Sequence, residues 1–488
     1  MVCMSFQSKI LDELKAIVGP DRVSVSPEVC LAYAFNPFWG RDIIVKPDIV
    51  ILPKTPEEIS QILKVANSYR VPVTPKGAVG GGGHGGPLKG GILLDLSLMD
   101  NILLIDTANM KAIAEAGCSF FKLSQEVFKR GMLLPTAAYG SGPSVAASAI
   151  DPAYAFGGTR YGGNINLVEG LEVVLPSGEI VRVGSMAYLD SEFGPYHRYI
   201  TGPDLVGLFT RSNGAFGIIT KVAYRCLRKP KFWAFKAFAW PRDRLKECIH
   251  AAAEATSIEV FDIHFNNRAR WELKPNGPKI PEDLYFVLTI AINGFNELEL
   301  RGREKEVEEI CESYGGRYLP EVGEDFHAIW PCDFLPEEKI LPPRYSLPAK
   351  IPRSYVFLFD ELIHPLSWMP QIYEKMSELC AEYGLSGLVV DGFILNNLCS
   401  STQFTISLND SDPDVVKRYR QCQNEFRKWF LERGGTFQYR LPPYVPDKVW
   451  TNQLGAFKIL KKIKGLLDPN NILSPGTFEL FEEVEADE

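Results

Sequence analysis

An α+β protein of two or three domains is predicted by three features of this chain. At 488 residues it exceeds what one hydrophobic core usually serves. Up to about residue 230, short apolar strands alternate with amphipathic helical stretches, and near Lys229-Pro230-Lys231 the composition shifts toward aromatics, charges and prolines. From there to about residue 435, helical patterns interleave with longer strands, as in one antiparallel sheet with helices on one face.

Each element has a local reason. The N-terminal MVCMSFQSKILDELKAIVG reads as an amphipathic helix. Ile44 to Pro53 reads as a strand, and Pro56 to Arg70 as a helix with proline in its first turn. VPVTP and GGILLDL are strands, the second buried on both faces by its continuous apolar run. Leu171 to Gly184 is a hairpin turning at Pro176–Gly178, and Gly214 to Leu227 begins another strand region after a glycine turn. RDRLKECIHAAAEA, ELRGREKEVEEICESYG and DVVKRYRQCQNEFRKWFLERGG are helical, whereas LYFVLTIAIN and YVFLFDELI are strands. A helix over Lys458–Leu467 precedes LDPNNILSPG, and the acidic end EEVEADE reads as solvated.

The stretch from Pro72 to Asp95 carries nine glycines among its 24 residues. Such a tract builds no core and is costly to order, so a gain must come from bringing bare backbone close to something. Successive glycine N–H groups between a strand and the next element suit an anion such as a pyrophosphate.

Other classes are disfavoured. The net charge is −8, which does not point to nucleic acid or an anionic membrane surface. No apolar run approaches the roughly 18 residues that span a bilayer. No signal peptide is visible, so a cytoplasmic location is expected. The ten cysteines are never closer than 19 residues, with no C-x-x-C pair and no zinc or iron–sulfur ligand cluster. No metal site is expected, and a haem or iron–sulfur centre would belong to another subunit.

Six segments, in order, resemble the flavoprotein family typified by vanillyl-alcohol oxidase, p-cresol methylhydroxylase and the D-lactate and glycolate dehydrogenases. They are PDIVILPKTPEEI, VTPKGAVGGGGHGG, GGILLDLSLMD, GLEVVLPSGEIVRVG, LFTRSNGAFGIITKV and LDPNNILSPG, spread over about the first 225 residues and the last 25. The resemblance implies a two-domain α+β flavoprotein. Its FAD-binding domain comprises residues 1–228 and a returning segment 441–488, and an antiparallel-sheet-plus-helices cap domain spans 229–440. It places Pro75, Lys76, Gly77, Ala78, Val79, Gly80, Gly81, Gly82, Gly83 and His84 at the FAD. GSGPSVAASA and the R-Y-G that follows imply further contacts from Gly140, Ser141, Ser144, Ala147, Ser148, Tyr161 and Gly162. Here Ala146-Ala147 stand where the family has two glycines. Ile218 and Ile219 would lie by the adenine. Some relatives attach the flavin covalently to a histidine in a G-G-H motif. That makes His84 a candidate attachment point, a hydrogen-bonding or solvent-facing histidine being the other reading.

Two substrate classes follow from the resemblance. Members acting on 2-hydroxy acids carry metal-ligating histidines in the cap, but the matching stretch here, LVVDGFILNNLCSSTQFTISLND, has none. Members acting on 4-alkylphenols and 4-hydroxybenzyl alcohols carry a Tyr-Arg pair upstream of the terminal L-D-P motif. GGTFQYRLPPYVP places Tyr439 and Arg440 in that position, where they would bind and deprotonate the phenol. The family's loop tyrosine falls within Gly80–Gly83, and its flavin-proximal Asp and His become Gly163 and Asn164. The expectation is therefore an FAD-dependent dehydrogenase or oxidase of a small phenolic substrate. A 2-hydroxy acid dehydrogenase and a non-catalytic flavoprotein subunit of an electron-transfer complex are the alternatives. A cytochrome or iron–sulfur acceptor subunit and a homo-oligomer are both compatible with this reading. His264, in FDIHFNN, reads as a packed core histidine on a cap strand.

Overall fold

The computed structural model describes residues 2–34, 45–77, 86–135, 144–149, 156–199, 202–272, 277–329, 356–396, 398–408, 412–437 and 454–477. The chain divides into two compact units. One gathers residues 1–152, 164–227 and 440–488; the other gathers 153–163 and 228–439.

In the first unit, β1 (Val23–Ser24), β2 (Ile49–Ile51), β3 (Val73–Lys76) and β4 (Ile92–Asp95) form a sheet in the order β1-β2-β4-β3. β2 and β3 both run parallel to β4, with Ile92 in register with Ile49 and with Val73. Every residue of β4 is buried, as its apolar run requires of a central strand. The helix Pro56–Tyr69 joins β2 to β3. Thr55 caps it by accepting from the Glu58 N–H (3.2 Å), and Arg70, in the left-handed region at φ 53°, ends it. Its face of Ile59, Ile62, Leu63 and Ala66 is fully buried.

A second, antiparallel sheet of this unit is built from β5 (Ile102–Asp106) and β6 (Lys111–Glu115), then β8 (Val168–Val174), β9 (Ile180–Gly184) and β10 (Ile218–Arg225). Their order is β5-β6-β10-β8-β9. Two short strands, β7 (Met132–Leu133) and β11 (Leu227–Arg228), lie outside these sheets.

The C-terminal segment returns to β3. Leu473 bridges Val73 in parallel, with Val73 N–H donating to Ile472 O (2.7 Å) and Ser474 N–H to Val73 O (2.8 Å). The LDPNNILSPG motif is legible as mechanics. Asp468 accepts from the N–H groups of Ile472 and Leu473, and Lys464, from the helix Leu454–Leu467, donates to Asp468, Ala215 O and Leu473 O.

The second unit is one eight-stranded sheet of β12 (Phe232–Trp240), β13 (Asp262–Asn267), β14 (Phe286–Gly294), β15 (Arg317–Tyr318), β16 (Val356–Pro365), β17 (Val389–Ile394), β18 (Cys399–Ser407) and β19 (Thr436–Phe437). Their order is β15-β12-β14-β13-β17-β18-β16-β19, and the registered pairs are antiparallel. Helices pack on one face. Lys236 reaches Glu304 and Glu308 on the helix Glu297–Ser313, and Phe404 packs on Phe426 of the helix Pro413–Glu432.

That helix-side layer also holds a buried histidine. His364 Nδ1–H donates to Pro365 O (2.9 Å), leaving Nε2 to accept from the Thr402 hydroxyl (2.9 Å). Burial pushes its pKa down from 6.5 to about 4. The unfolded chain therefore takes up this proton first as pH falls. Stability from the neutral ring is complete above pH 6.5 and is lost between 6.5 and 4, by about 3 kcal/mol. Chemical unfolding of wild type and His364→Gln at pH 7.5 and pH 4 is expected to show their stability difference shrinking by that amount.

Candidate functional site

The first unit holds a cradle where three distant stretches meet. β3 ends at Lys76, and at Gly77 the backbone runs so close to Ser144 that a Cβ would lie 2.2 Å from its Oγ and 3.4 Å from Ala147 Cβ. Only glycine fits there without movement. Ser144 caps the short helix Val145–Ala149, its Oγ accepting from Ala147 N–H (3.3 Å). The Tyr224 hydroxyl, from β10, donates to Val145 O (2.7 Å) and ties that helix to the antiparallel sheet. From a third direction Gly214, at φ +76°, would place a Cβ 2.4 Å from Pro75 Cγ and 3.3 Å from Ser474 Oγ.

Lys76, the last residue of β3, precedes Gly77 in the chain. Its Nζ sits 4.6 Å over the Tyr33 ring, and the Tyr33 hydroxyl donates to Asp95 Oδ2 (2.6 Å). Burial lowers the lysine's pKa, against the pull of Asp95 in the other direction. This partly desolvated ammonium makes no ion pair among the described residues, which favours an anionic neighbour.

Two hydroxyls here are orphaned. Ser148 Oγ and Ser474 Oγ are buried, each in a residue about 1% exposed, and neither has a hydrogen-bond partner. An unpaired buried hydroxyl close to Pro75 and Gly214 suits a ligand rich in acceptor oxygens. The donors present thus fit a dinucleotide such as FAD. Of the sequence candidates, Gly77 meets Ser144 and Ala147, and Pro75 lies against Gly214 with Ser474 alongside. Ile218 and Ile219 begin β10 in register with Val174 and Val173, both buried. Ala78 through His84, Gly140 and Ser141 lie outside the described residues, as do Tyr439 and Arg440. Ser474, Gly214, Tyr33 and Asp95 were not anticipated; the serine before Pro-Gly in the terminal motif was the available signal.

Tyr161 and Gly162 group with the second unit, unlike the other cofactor candidates. The reason is Asp262, fully buried on β13. It accepts from the N–H groups of Gly157 (3.2 Å) and Thr159 (3.4 Å), and Thr159 Oγ1 accepts in turn from Ile263 N–H (2.8 Å). Tyr161 packs edge-on against Phe261, and Arg160 donates to Asn293 (2.9 Å). A buried carboxylate needs such donors, and the segment supplies them.

The second unit's other notable feature is the sheet face turned away from the helices Glu297–Ser313 and Pro413–Glu432. Alternation along the registered strands puts Asp262, His264 and Asn266 of β13, Asp391 and Phe393 of β17, Ser401 and Gln403 of β18 and Glu361 of β16 on that face. His264 Nε2 lies 3.1 Å from Asp262 Oδ2, and its ring is stacked on Phe156 and tilted against Phe393. His264 is buried, as expected, but as the partner of a carboxylate. Ser401 donates to Glu361 (3.0 Å), and Asn266 donates to Asp391 (2.9 Å). Thr289 Oγ1 and Asn293 Nδ2, on the same face, are buried without partners. The face therefore offers acceptors, donors and flat rings for recognising a small polar molecule. Among the described residues, no group of three or more His, Cys, Asp and Glu is arranged to hold a metal ion. No helix among them is long and apolar enough to cross a membrane.

Residues 47–184 match the model of the FAD binding domain, and residues 449–478 that of the C-terminal domain of FAD linked oxidases. The chain is 26% identical to the glycolate oxidase subunit GlcD of Bacillus subtilis (strain 168), over 96% of each chain. It is 30% identical to the mitochondrial D-2-hydroxyglutarate dehydrogenase of Danio rerio, over 93% of this chain and 82% of that one. The crystal structure of p-cresol methylhydroxylase with substrate bound shares the fold, with a TM-score of 0.81 at 19% identity over 97% of both chains. The two-domain α+β flavoprotein architecture expected from the sequence is thus the one found. With an FAD-domain match across its glycine tract and a 30% identical relative aligned along most of its length, this chain belongs to the FAD-linked oxidases and dehydrogenases, and is an FAD-dependent oxidoreductase.

Proposed function

We propose that this enzyme oxidises a 4-alkylphenol or 4-hydroxybenzyl alcohol, with the second unit supplying the groups that recognise the substrate. The observation that carries the reading is the sheet face opposite the helices Glu297–Ser313 and Pro413–Glu432. It interleaves Asp262, Glu361, Ser401 and Gln403 with the rings of Phe156 and Phe393, and its β17–β18 hairpin carries no histidine. That donor set suits a flat, neutral, hydroxylated ring better than a chelated 2-hydroxy acid.

Tyr439 and Arg440 follow β19 by two and three residues and are proposed to hold the phenol oxygen. A tyrosine hydroxyl beside a permanently charged guanidinium lowers the pKa of the bound phenol. The phenolate pushes electron density toward the para carbon, which eases loss of a benzylic hydride and leaves a quinone methide for water to attack. FAD, when bound, accepts the hydride. Arg440→Ala is expected to lower phenol turnover by about 100-fold or more while FAD content stays unchanged.

A 2-hydroxy acid is the second reading, supported by the names of the long-matching relatives. The deciding experiment is an anaerobic titration of the flavin band with 4-hydroxybenzyl alcohol, 4-cresol, D-lactate, glycolate and D-2-hydroxyglutarate. Bleaching by a phenol alone supports the proposal; bleaching by a hydroxy acid replaces it with the second reading. A cytochrome or iron–sulfur subunit is proposed as electron acceptor if reduced enzyme is not reoxidised by oxygen.

A further inference from the structure

We infer that Ser474 is a cofactor-binding residue whose hydroxyl donates a hydrogen bond to FAD, so that the C-terminal segment completes the site begun by the Pro75–Gly77 turn.

Four observations carry this. Ser474 is about 1% exposed, and its Oγ has no hydrogen-bond partner. A buried hydroxyl is ordinarily paired, so an acceptor beyond those of the described residues is called for. Its backbone sits at φ +41°, a conformation in which glycine is unstrained and serine is not. The position therefore keeps a side chain at a conformational cost, which points to use of the hydroxyl. The backbone around it is fully engaged. Ser474 N–H donates to Val73 O (2.8 Å), Ser474 O accepts from Thr477 N–H and Oγ1, and Asp468 holds the two preceding N–H groups. The hydroxyl alone is left uncommitted on a pre-positioned support. Finally, it lies at the root of the glycine turn, 3.3 Å from where a Cβ on Gly214 would stand, with Pro75 against the same point.

FAD carries its strongest acceptors on the diphosphate, and Ser474 reaches the Pro75–Gly77 turn through its approach to Gly214 and Pro75. Binding of the cofactor would then also tie residues 468–474 to β3.

The test uses full-length protein expressed under flavin limitation and titrated with FAD by calorimetry, as wild type, Ser474→Ala and Ser474→Gly. Both variants are expected to bind FAD at least about tenfold more weakly, the scale of one hydrogen bond to a charged acceptor. The thermal midpoint of the FAD-free chain should not fall, since alanine removes an unpaired buried hydroxyl and glycine also relieves the backbone. In wild type, FAD should slow amide exchange over residues 468–474, and the variants should lose that protection. An FAD affinity within twofold of wild type in both variants would overturn the assignment. So would a loss of affinity matched by a lowered midpoint of the FAD-free chain in both, which would mark a structural role.

Discussion

Replacing Arg427 with methionine is expected to destabilise the protein by about 3–5 kcal/mol, the cost of leaving a buried charge without its partner. Arg427 projects from the helix Pro413–Glu432 onto β16, where Nε and Nη2 each lie 2.7 Å from one oxygen of Asp360. Both residues are buried, so the pair is shielded from salt and held in a two-pronged geometry. Burial pushes the Asp360 carboxyl up, and Arg427 is the main force holding it down. Without the guanidinium, Asp360 would take up a proton, which moderates the loss without removing it. Urea unfolding of wild type, both single variants and the Asp360→Leu/Arg427→Met pair measures the coupling. The double variant is expected to recover most of the loss, because two apolar groups need no partner. A double variant as unstable as Arg427→Met would show that packing of the arginine, not its charge, is what matters.

Gly77→Ala is expected to weaken FAD binding by about 10–100-fold, corresponding to the 1–3 kcal/mol typical of overpacking at a closely packed site. The added methyl would meet Ser144 Oγ at 2.2 Å, far inside contact distance. Either β3 or the helix Val145–Ala149 must then shift, and both line the cradle. The double variant Gly77→Ala/Ser144→Ala removes the offending oxygen and leaves the nearest remaining atoms, Ser144 Cβ and Ala147 Cβ, at 3.3 and 3.4 Å. It is expected to regain much of the affinity, as read by FAD fluorescence quenching. Full retention of FAD by Gly77→Ala would place the cofactor away from this turn.

Much of the architecture was legible before any coordinate. The capped helix Pro56–Tyr69, the β8–β9 hairpin with its glycine turn and the buried run of β4 each follow from local patterns of three to fifteen residues. The glycine tract pointed to a bound anion such as a pyrophosphate, because no packed core tolerates such a run. The resemblance of six segments to a flavoprotein family made that FAD. The polar alternation of Asp262, His264 and Asn266 was also visible in FDIHFNN, though not what those residues would face.

By itself, then, the sequence determined the class of fold and the strand that leads into the glycine turn, since propensity, capping and hydrophobic period act between near neighbours. Its resemblance to a known family supplied the cofactor. Only the tertiary structure decided which distant residues share a site. Asp262 draws residues 153–163 to the second unit, and Asp468 and Lys464 bring Ser474 to Val73 across some four hundred residues of chain. Such contacts depend on where buried polar groups find partners after the chain has closed on itself. That accounting spans the whole molecule and cannot be settled from near neighbours in the order of residues.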